Sequence, residues 1–374
     1  MRITFPQMGN TCIPVKAMLD DLGLNYEIPS FNTPRSIAEG ARIAPESACL
    51  PLKANLGNFI QAACRGADTV IIPGGCGPCR FGLYSEMHRQ ILKEHGYDMD
   101  ILALEIPRKN PQEFIRRIRI LTGETKLFEI LRIASRFVRI AGRMDALEQQ
   151  VRLKRPREND PGKADRIYAA FRRDVFSRRG SQEILALIRK TRMEIASIPE
   201  LSCAAPLRIG IVGEIFTNID QETCLHLEAK LGRMGVEVHR PITLSSWIQH
   251  HMIRKALHLP ERRECITASR LYMGAMIGGH ARETVGNSVL FAKQGFDGII
   301  QTYPLTCMPE ITAQSILPSV TRDLGIPVMT LVLDEISGEA GFQTRLEAFT
   351  DMLMMRREQG TIKLTGRTAG DEKK

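Results

Sequence analysis

Two stretches of this 374-residue chain share a rhythm that restricts the folds open to it: short apolar runs alternate with longer segments at helical spacing, and most of those segments stop at a glycine. The first stretch reads as a strand over Arg2 to Phe5, a helix from Pro14 to Leu22 halted by Gly23, and a short strand near Tyr26 to Ile28. A helix from Leu52 to Arg65 follows, then the apolar run Thr69 to Ile72, a helix from Tyr84 to His95, and a strand over Ile101 to Leu104. The second stretch opens with Leu207 to Val212, a helix around Glu222 to Met234, and a strand over Val236 to His239. It continues as a helix from Glu283 to Gln294, the strand Gly298 to Gln301, a helix near Ala313 to Leu324, the strand Val328 to Leu333 and a last helix from Thr344 to Arg357.

A glycine just past a helix supplies the left-handed residue that ends it. Strands that alternate with such helices pair in parallel through crossover connections. The expected fold class is therefore α/β: two doubly wound parallel-sheet domains facing a cleft, with a helical connecting subdomain. One core seldom keeps growing beyond roughly 250 to 300 residues, which agrees with domains at 1–107 and 206–360, a connecting region at 108–205 and a polar tail at 361–374. Ligands of such sheets sit beyond the carboxyl ends of the strands.

Between Pro111 and about Ile198 the strand signal disappears. Phe114, Ile118, Leu121 and then Phe128, Leu131, Ile133, Phe137 and Ile140 fall at amphipathic helical spacing, with a break at Lys154 to Gly162. From Arg108 to Glu200 the chain carries 23 Lys or Arg against 12 Asp or Glu, so the whole-chain charge of +9 is concentrated here. A basic segment suits nucleic acid, an acidic protein or the phosphates of coenzyme A, and it equally suits a solvated helical face. The absence of interleaved aromatic residues argues against stacking on single-stranded nucleic acid.

Neither a secretory leader nor a run of roughly 18 to 20 apolar residues is found, so the expected protein is soluble and cytoplasmic, with no membrane partner. Nine cysteines in a reducing compartment are expected to be buried fillers or ligands rather than a disulfide framework. Three pieces set a cysteine where a loop leads into a helix: Pro45 to Lys53 around Cys49, Gly74 to Gly82 with Cys76 and Cys79, and Tyr303 to Glu310 with Cys307. The last two follow strands from different stretches, so folding can bring them to one cleft. Glycine and proline let the backbone come close to the sulfurs, and a helix start favours a thiolate. Lys53 and Arg80 would place positive charge beside an anionic cofactor. By itself Cys76-Gly77-Pro78-Cys79 fits a redox dithiol, half of a zinc site or a pair of cluster ligands.

The strings Phe5-Pro6-Gln7-Met8-Gly9-Asn10, Pro45-Glu46 with Ala48-Cys49-Leu50-Pro51-Leu52-Lys53, Gly77-Pro78-Cys79-Arg80-Phe81-Gly82-Leu83-Tyr84, Gly278-Gly279-His280, Cys307-Met308-Pro309-Glu310 and Thr344 to Phe349 resemble the 2-hydroxyacyl-CoA dehydratase D-component family. Within it, the chain is most similar to the branch of CoA-enzyme activases and CoA-protein-activase-like proteins. The resemblance spans both α/β stretches and leaves out the helical middle. It implies a four-iron (4Fe-4S) cluster on Cys49, Cys79 and Cys307, or a larger double-cubane cluster with Cys76 or Cys12 as extra ligands. It also implies an ATP-dependent iron-sulfur activator as electron donor, a second dehydratase-like subunit or a homodimer, an acyl-CoA substrate and radical or reductive chemistry in an anaerobic setting. No phosphate-cradling GxxxxGK[ST] is present, so the ATP would be hydrolysed on the partner.

Each remaining candidate has a plainer account beside the functional one. Cys12 reads as a small buried filler, and Cys64 and Cys224 as core or inert. Cys203 falls in a linker, and Cys265 is open. His280, with Glu283 one turn on, is a candidate proton donor, and a capped helix start explains the pair equally well. Glu310, Asp334 and Glu335 are candidates for groups around the third cysteine, although carboxylates favour helix starts for dipole reasons alone. The competing functions are a non-catalytic iron-sulfur electron carrier or accessory subunit and, with less support, a nucleic-acid-binding protein.

Overall fold

The computed structural model describes residues 1–74, 79–104, 111–201, 205–254 and 263–368. Its first sheet takes β1 (Ile3–Thr4), β2 (Thr69–Pro73) and β3 (Asp100–Leu104), all parallel and in the order β1-β2-β3. The expected strand at Tyr26 to Ile28 shrinks to a single parallel bridge, Ile3 to Tyr26, on the free side of β1. Around this sheet run α1 (Cys12–Asp21), α2 (Pro34–Ala41), α3 (Leu50–Cys64) and α4 (Tyr84–Glu94). Successive strand residues point to opposite faces, and both faces are covered. Ile3, Phe5 and Ile71 enter one core with α1, while Val70, Ile72, Ile101 and Ala103 enter another with α3 and α4.

The middle of the chain is helical as expected: α5 (Pro111–Thr122), α6 (Leu127–Lys154), α7 (Lys163–Asp174) and α8 (Gly180–Ala196). These helices are no free-standing bridge. Ile140, Met144, Leu147, Tyr168, Phe171 and Ile188 share the core of β1 and α1, so the middle forms one of the two covers of the first sheet.

The second sheet holds β4 (Leu207–Gly213), β5 (Val236–His239), β6 (Gly298–Pro304) and β7 (Val328–Leu333), parallel and in the order β5-β4-β6-β7. Its helices are α9 (Ile215–Ile219), α10 (Leu227–Arg233), α11 (Leu244–Trp247, continued by a π-helix over Ile248–Ile253), α12 (Glu264–Ser269), α13 (Ala281–Lys293), α14 (Met308–Leu324) and α15 (Glu339–Thr368). One face packs on α10 and α15 through Ile209, Ile211, Ile300 and Leu331. The other packs on α13 and α14 through Val212 and Ile299. Ile37, Leu50 and Ala54 of α2 and α3 also enter the core of the second sheet, so the two sheets share packing elements.

Three helices differ from expectation, the first being α14, which starts at Met308, five residues before the expected Ala313. The helix expected from Glu222 begins only at Leu227, because Leu225 and His226 take positive φ (51° and 54°) and break the chain there. The last helix starts five residues early and continues through Thr368, into the stretch read as a polar tail.

Candidate metal centre

Three loops at the carboxyl ends of strands or at helix starts carry the cysteines singled out above. Cys49 is the N-cap of α3, Cys79 the N-cap of a 3-10 turn (Arg80–Leu83) that leads into α4, and Cys307 the N-cap of α14. Pro51 and Pro309 stand in the first turns of α3 and α14, where a missing N–H costs nothing. Cys49 and Cys307 thus sit at α-helix starts, where the first N–H groups lack intrahelical partners.

One side chain ties the loops together. The Arg80 guanidinium donates to the Ser47 carbonyl oxygen at 3.0 Å, to the Thr306 carbonyl oxygen at 2.9 Å and to Thr306 Oγ1 at 3.0 Å. Thr306 Oγ1 in turn donates to the Ser47 carbonyl oxygen at 3.3 Å. Residues two before Cys49, one after Cys79 and one before Cys307 therefore meet at one point. Thr306 has φ of 69°, an unusual conformation for a β-branched residue, held here by these bonds on both its backbone and side chain. Lys53 is buried and paired with Glu335 Oε1 at 2.5 Å, linking α3 to the loop after β7.

The loops after the first strands meet as well. Gly9 N–H donates to Asp220 Oδ2 at 2.8 Å, and the Asn32 amide reaches the same oxygen at 3.0 Å. A Cβ on Gly9 would lie 2.3 Å from the Ile219 carbonyl oxygen, so only glycine permits this approach.

The thiols respond to their surroundings. Burial pushes Cys49 up to about 11; the Tyr84 phenol, hydrogen-bonded to its sulfur, opposes the rise, Glu214 adds to it, Arg80 opposes it and Cys79 adds to it. Burial also raises Cys307, with Glu214, Glu310 and Cys49 adding to the rise. Cys49 thus feels both Cys79 and Cys307, and without a cation the buried sulfurs hold their protons. Glu214, which sequence reading did not single out, caps α9 directly beyond β4 and accepts from Thr217 N–H at 3.1 Å. Its enclosed carboxyl is pushed up to about 7. Only its place after a strand ending in glycine could have signalled it. Glu310, fully buried, accepts from Thr284 Oγ1 at 3.0 and 3.1 Å and from the Gln301 amide at 3.0 Å, and burial lifts it to about 8.

His280 caps α13 beside this group: a Cβ on the preceding Gly279 would meet Pro309 Cβ and Cγ at 2.9 Å. Burial lowers His280, with Glu283 opposing and Arg263 assisting. Glu283 pairs with Arg263 at 2.7 Å; burial would raise it, but His280 and Arg263 hold it below the ordinary carboxylate value. Asp334 accepts from Ile336 N–H and Ser337 Oγ and closes a turn.

Elsewhere, Cys12 lies in the first core, and burial lifts its thiol to about 12. Cys224 and Cys265 are buried, in agreement with a packing role for Cys224. Cys64 is exposed at the end of α3, so it is not a core residue; the helix turns its last position to solvent. Cys76 and Cys203 lie outside the described residues.

Three soft thiols at helix starts, in loops stapled together and free of disulfides, are the donor set an iron-sulfur cluster takes. Among the described residues no group of three or more His, Cys, Asp or Glu is arranged to hold a metal ion. No protein-family model and no curated protein matches the chain. No helix among the described residues is long and apolar enough to cross a membrane.

Proposed function

We propose that this protein holds an iron-sulfur cluster, of the four-iron or larger double-cubane kind, on Cys49, Cys79 and Cys307. In this reading it accepts low-potential electrons from a separate ATP-dependent activator, for reductive or radical chemistry of the 2-hydroxyacyl-CoA dehydratase type on an acyl-CoA. The observation that carries the reading is the Arg80 staple, which joins three cysteine-bearing loops up to 259 residues apart. When bound, such a cluster supplies one-electron chemistry, and the protein supplies position and exclusion of water.

The architecture supports it. In the second sheet β4 lies between β5 and β6, and in the first β1 lies between the Tyr26 bridge and β2. Each order reverses beside its first strand, and ligands of open α/β sheets favour the crevice at that reversal. We place the two sheets as doubly wound halves with their crevices turned toward one another across the cysteines, since the loop after β1 touches Asp220 at the end of α9 and the loops after β2 and β6 touch each other.

The roles of the other side chains follow from their contacts. Arg80 fixes the spacing of the loops, and its charge acts on the Cys49 sulfur. Lys53, neutralised by Glu335, closes the α3 side. Glu310 anchors α14 to β6 and α13, while Glu283, held as a carboxylate by Arg263, stands one turn along α13 from His280. The basic middle gives no separate support for nucleic-acid binding, because many of its cations are paired within the chain, Arg152 with Glu228, Arg157 with Glu237 and Arg172 with Glu222 among them.

The test is anaerobic purification and cluster reconstitution. A brown protein with acid-labile sulfide is expected, and a colourless, iron-free product would overturn the reading. Turnover of a 2-hydroxyacyl-CoA with an activator then separates an enzyme from an electron carrier or accessory subunit: product formation supports the dehydratase reading, and reduction without product leaves the carrier.

A further inference from the structure

Tyr84 is the first residue of α4, with 2% of its surface exposed, and its phenol oxygen is hydrogen-bonded to Cys49 Sγ. Its ring is fixed on two sides. Phe81 lies at 5.6 Å between centroids and 55° between planes, and His88 at 6.1 Å and 70°. His88, one turn further along α4, is itself set edge-on against Phe59 of α3 at 5.1 Å. Burial holds His88 down at about 4, so near neutral pH it is uncharged and serves as a ring in this stack. The stack ties the start of α4 to the body of α3 and leaves the phenol little freedom to turn away from the sulfur.

From this geometry, and resting on the cluster reading above, we infer that Tyr84 is a positioning residue that donates a hydrogen bond to the Cys49 sulfur and thereby sets the potential at which the centre takes an electron. A deprotonated thiolate ligand only accepts, so the phenol is the donor. A donor aimed at a ligand sulfur stabilises the state with more negative charge, which is the reduced one, and so raises the potential. The low dielectric around an enclosed phenol strengthens the effect. Nothing else in the contacts of Tyr84 calls for a hydroxyl: its ring packing would be kept by phenylalanine.

The experiment compares wild type with Tyr84→Phe, both reconstituted anaerobically, first for iron and sulfide and then for midpoint potential by redox titration followed by electron paramagnetic resonance. The expected result is equal iron and a midpoint lowered by the equivalent of a roughly tenfold change in the oxidised-to-reduced ratio, about 59 mV for one electron. Equal iron with an unchanged midpoint overturns this inference and leaves the cluster reading intact. Absence of iron from the wild type overturns both. If Tyr84→Phe fails to retain iron, 3,5-difluorotyrosine placed at position 84 decides: a stronger donor of nearly the same shape raises the midpoint if the inference holds, and an unmoved midpoint overturns it.

Discussion

At the residue scale, the groups around the cysteines are held in protonation states that solution values would not give. Glu310 shows why: its carboxyl is wholly buried, its neighbours are the neutral Thr284 and Gln301, and no cation is among its hydrogen-bond partners. Its folded value of about 8 lies above the ordinary 4.5, so the native state holds a proton that the unfolded chain releases. The stabilisation is therefore complete below about pH 4.5 and is lost as pH rises through about 8. Glutamine can replace the protonated acid, donating to Thr284 Oγ1 while accepting from Gln301. We expect denaturant unfolding of the cluster-free protein to show stability falling across this window by on the order of a few kcal/mol. Glu310→Gln should fall less steeply, and parallel curves for the two would refute the assignment. Neither the burial nor the neutral partners of Glu310 could be read from the sequence, since they depend on β6 and α13 meeting α14. The loops of Cys49 and Cys307 could be picked out because each stands just before a proline-marked helix start, a local pattern, whereas Cys79 precedes a 3-10 turn without that mark.

At the scale of elements, Arg80 changes meaning. The sequence offered it as a positive charge for a cofactor, and its contacts add a mechanical task, that of joining the loops before α3 and α14 to the one it occupies. Arg80 is exposed, so truncation leaves the core untouched and removes only the staple. Arg80→Ala should keep its thermal unfolding midpoint within a few degrees of wild type, yet lose iron to a chelator several-fold faster. Arg80→Lys should be nearly as leaky, since an ammonium cannot hold two carbonyls and a hydroxyl in one plane. Chelator-loss rates equal to wild type in both variants would show that the loops hold themselves. The strands Val236–His239 and Val328–Leu333 fell where their β-branched runs put them. Helices α2, α9, α11 and α12 were missed: α2 is marked by a Thr33–Ser36 capping box rather than an apolar stripe, and the others, of five, four and six residues, are too short for periodicity to register.

At the scale of the whole molecule, the arginine-rich middle is joined to the second sheet through buried charge. Arg240, beyond β5, pairs with Glu148 of α6 at 2.6 Å and with Glu228 of α10 at 3.2 Å, and Arg152 of α6 reaches Glu228 at 3.5 Å. The Asn10 amide, from the loop after β1, donates to the same Glu148. Composition showed a basic surplus but not its partners, because Glu228, which answers Arg152, lies 76 residues away in sequence, and Glu148, which answers Arg240, lies 92 residues away. Removing one member strands the others, which typically costs about 3–5 kcal/mol. Arg240→Met should therefore lower the unfolding midpoint sharply, whereas Arg116→Met, in an exposed pair with Glu113, should leave it unchanged within scatter. Equal midpoints for the two would mean that the buried network carries no structural weight.

The convergence of distant sulfurs on one centre is tested most directly by iron and sulfide counts on anaerobically reconstituted Cys49→Ser, Cys79→Ser, Cys307→Ser and Cys64→Ser, measured side by side with wild type. The account predicts that each of the first three loses most of its iron while Cys64→Ser, altered at the exposed end of α3, keeps it. Iron retained equally in all four would contradict it.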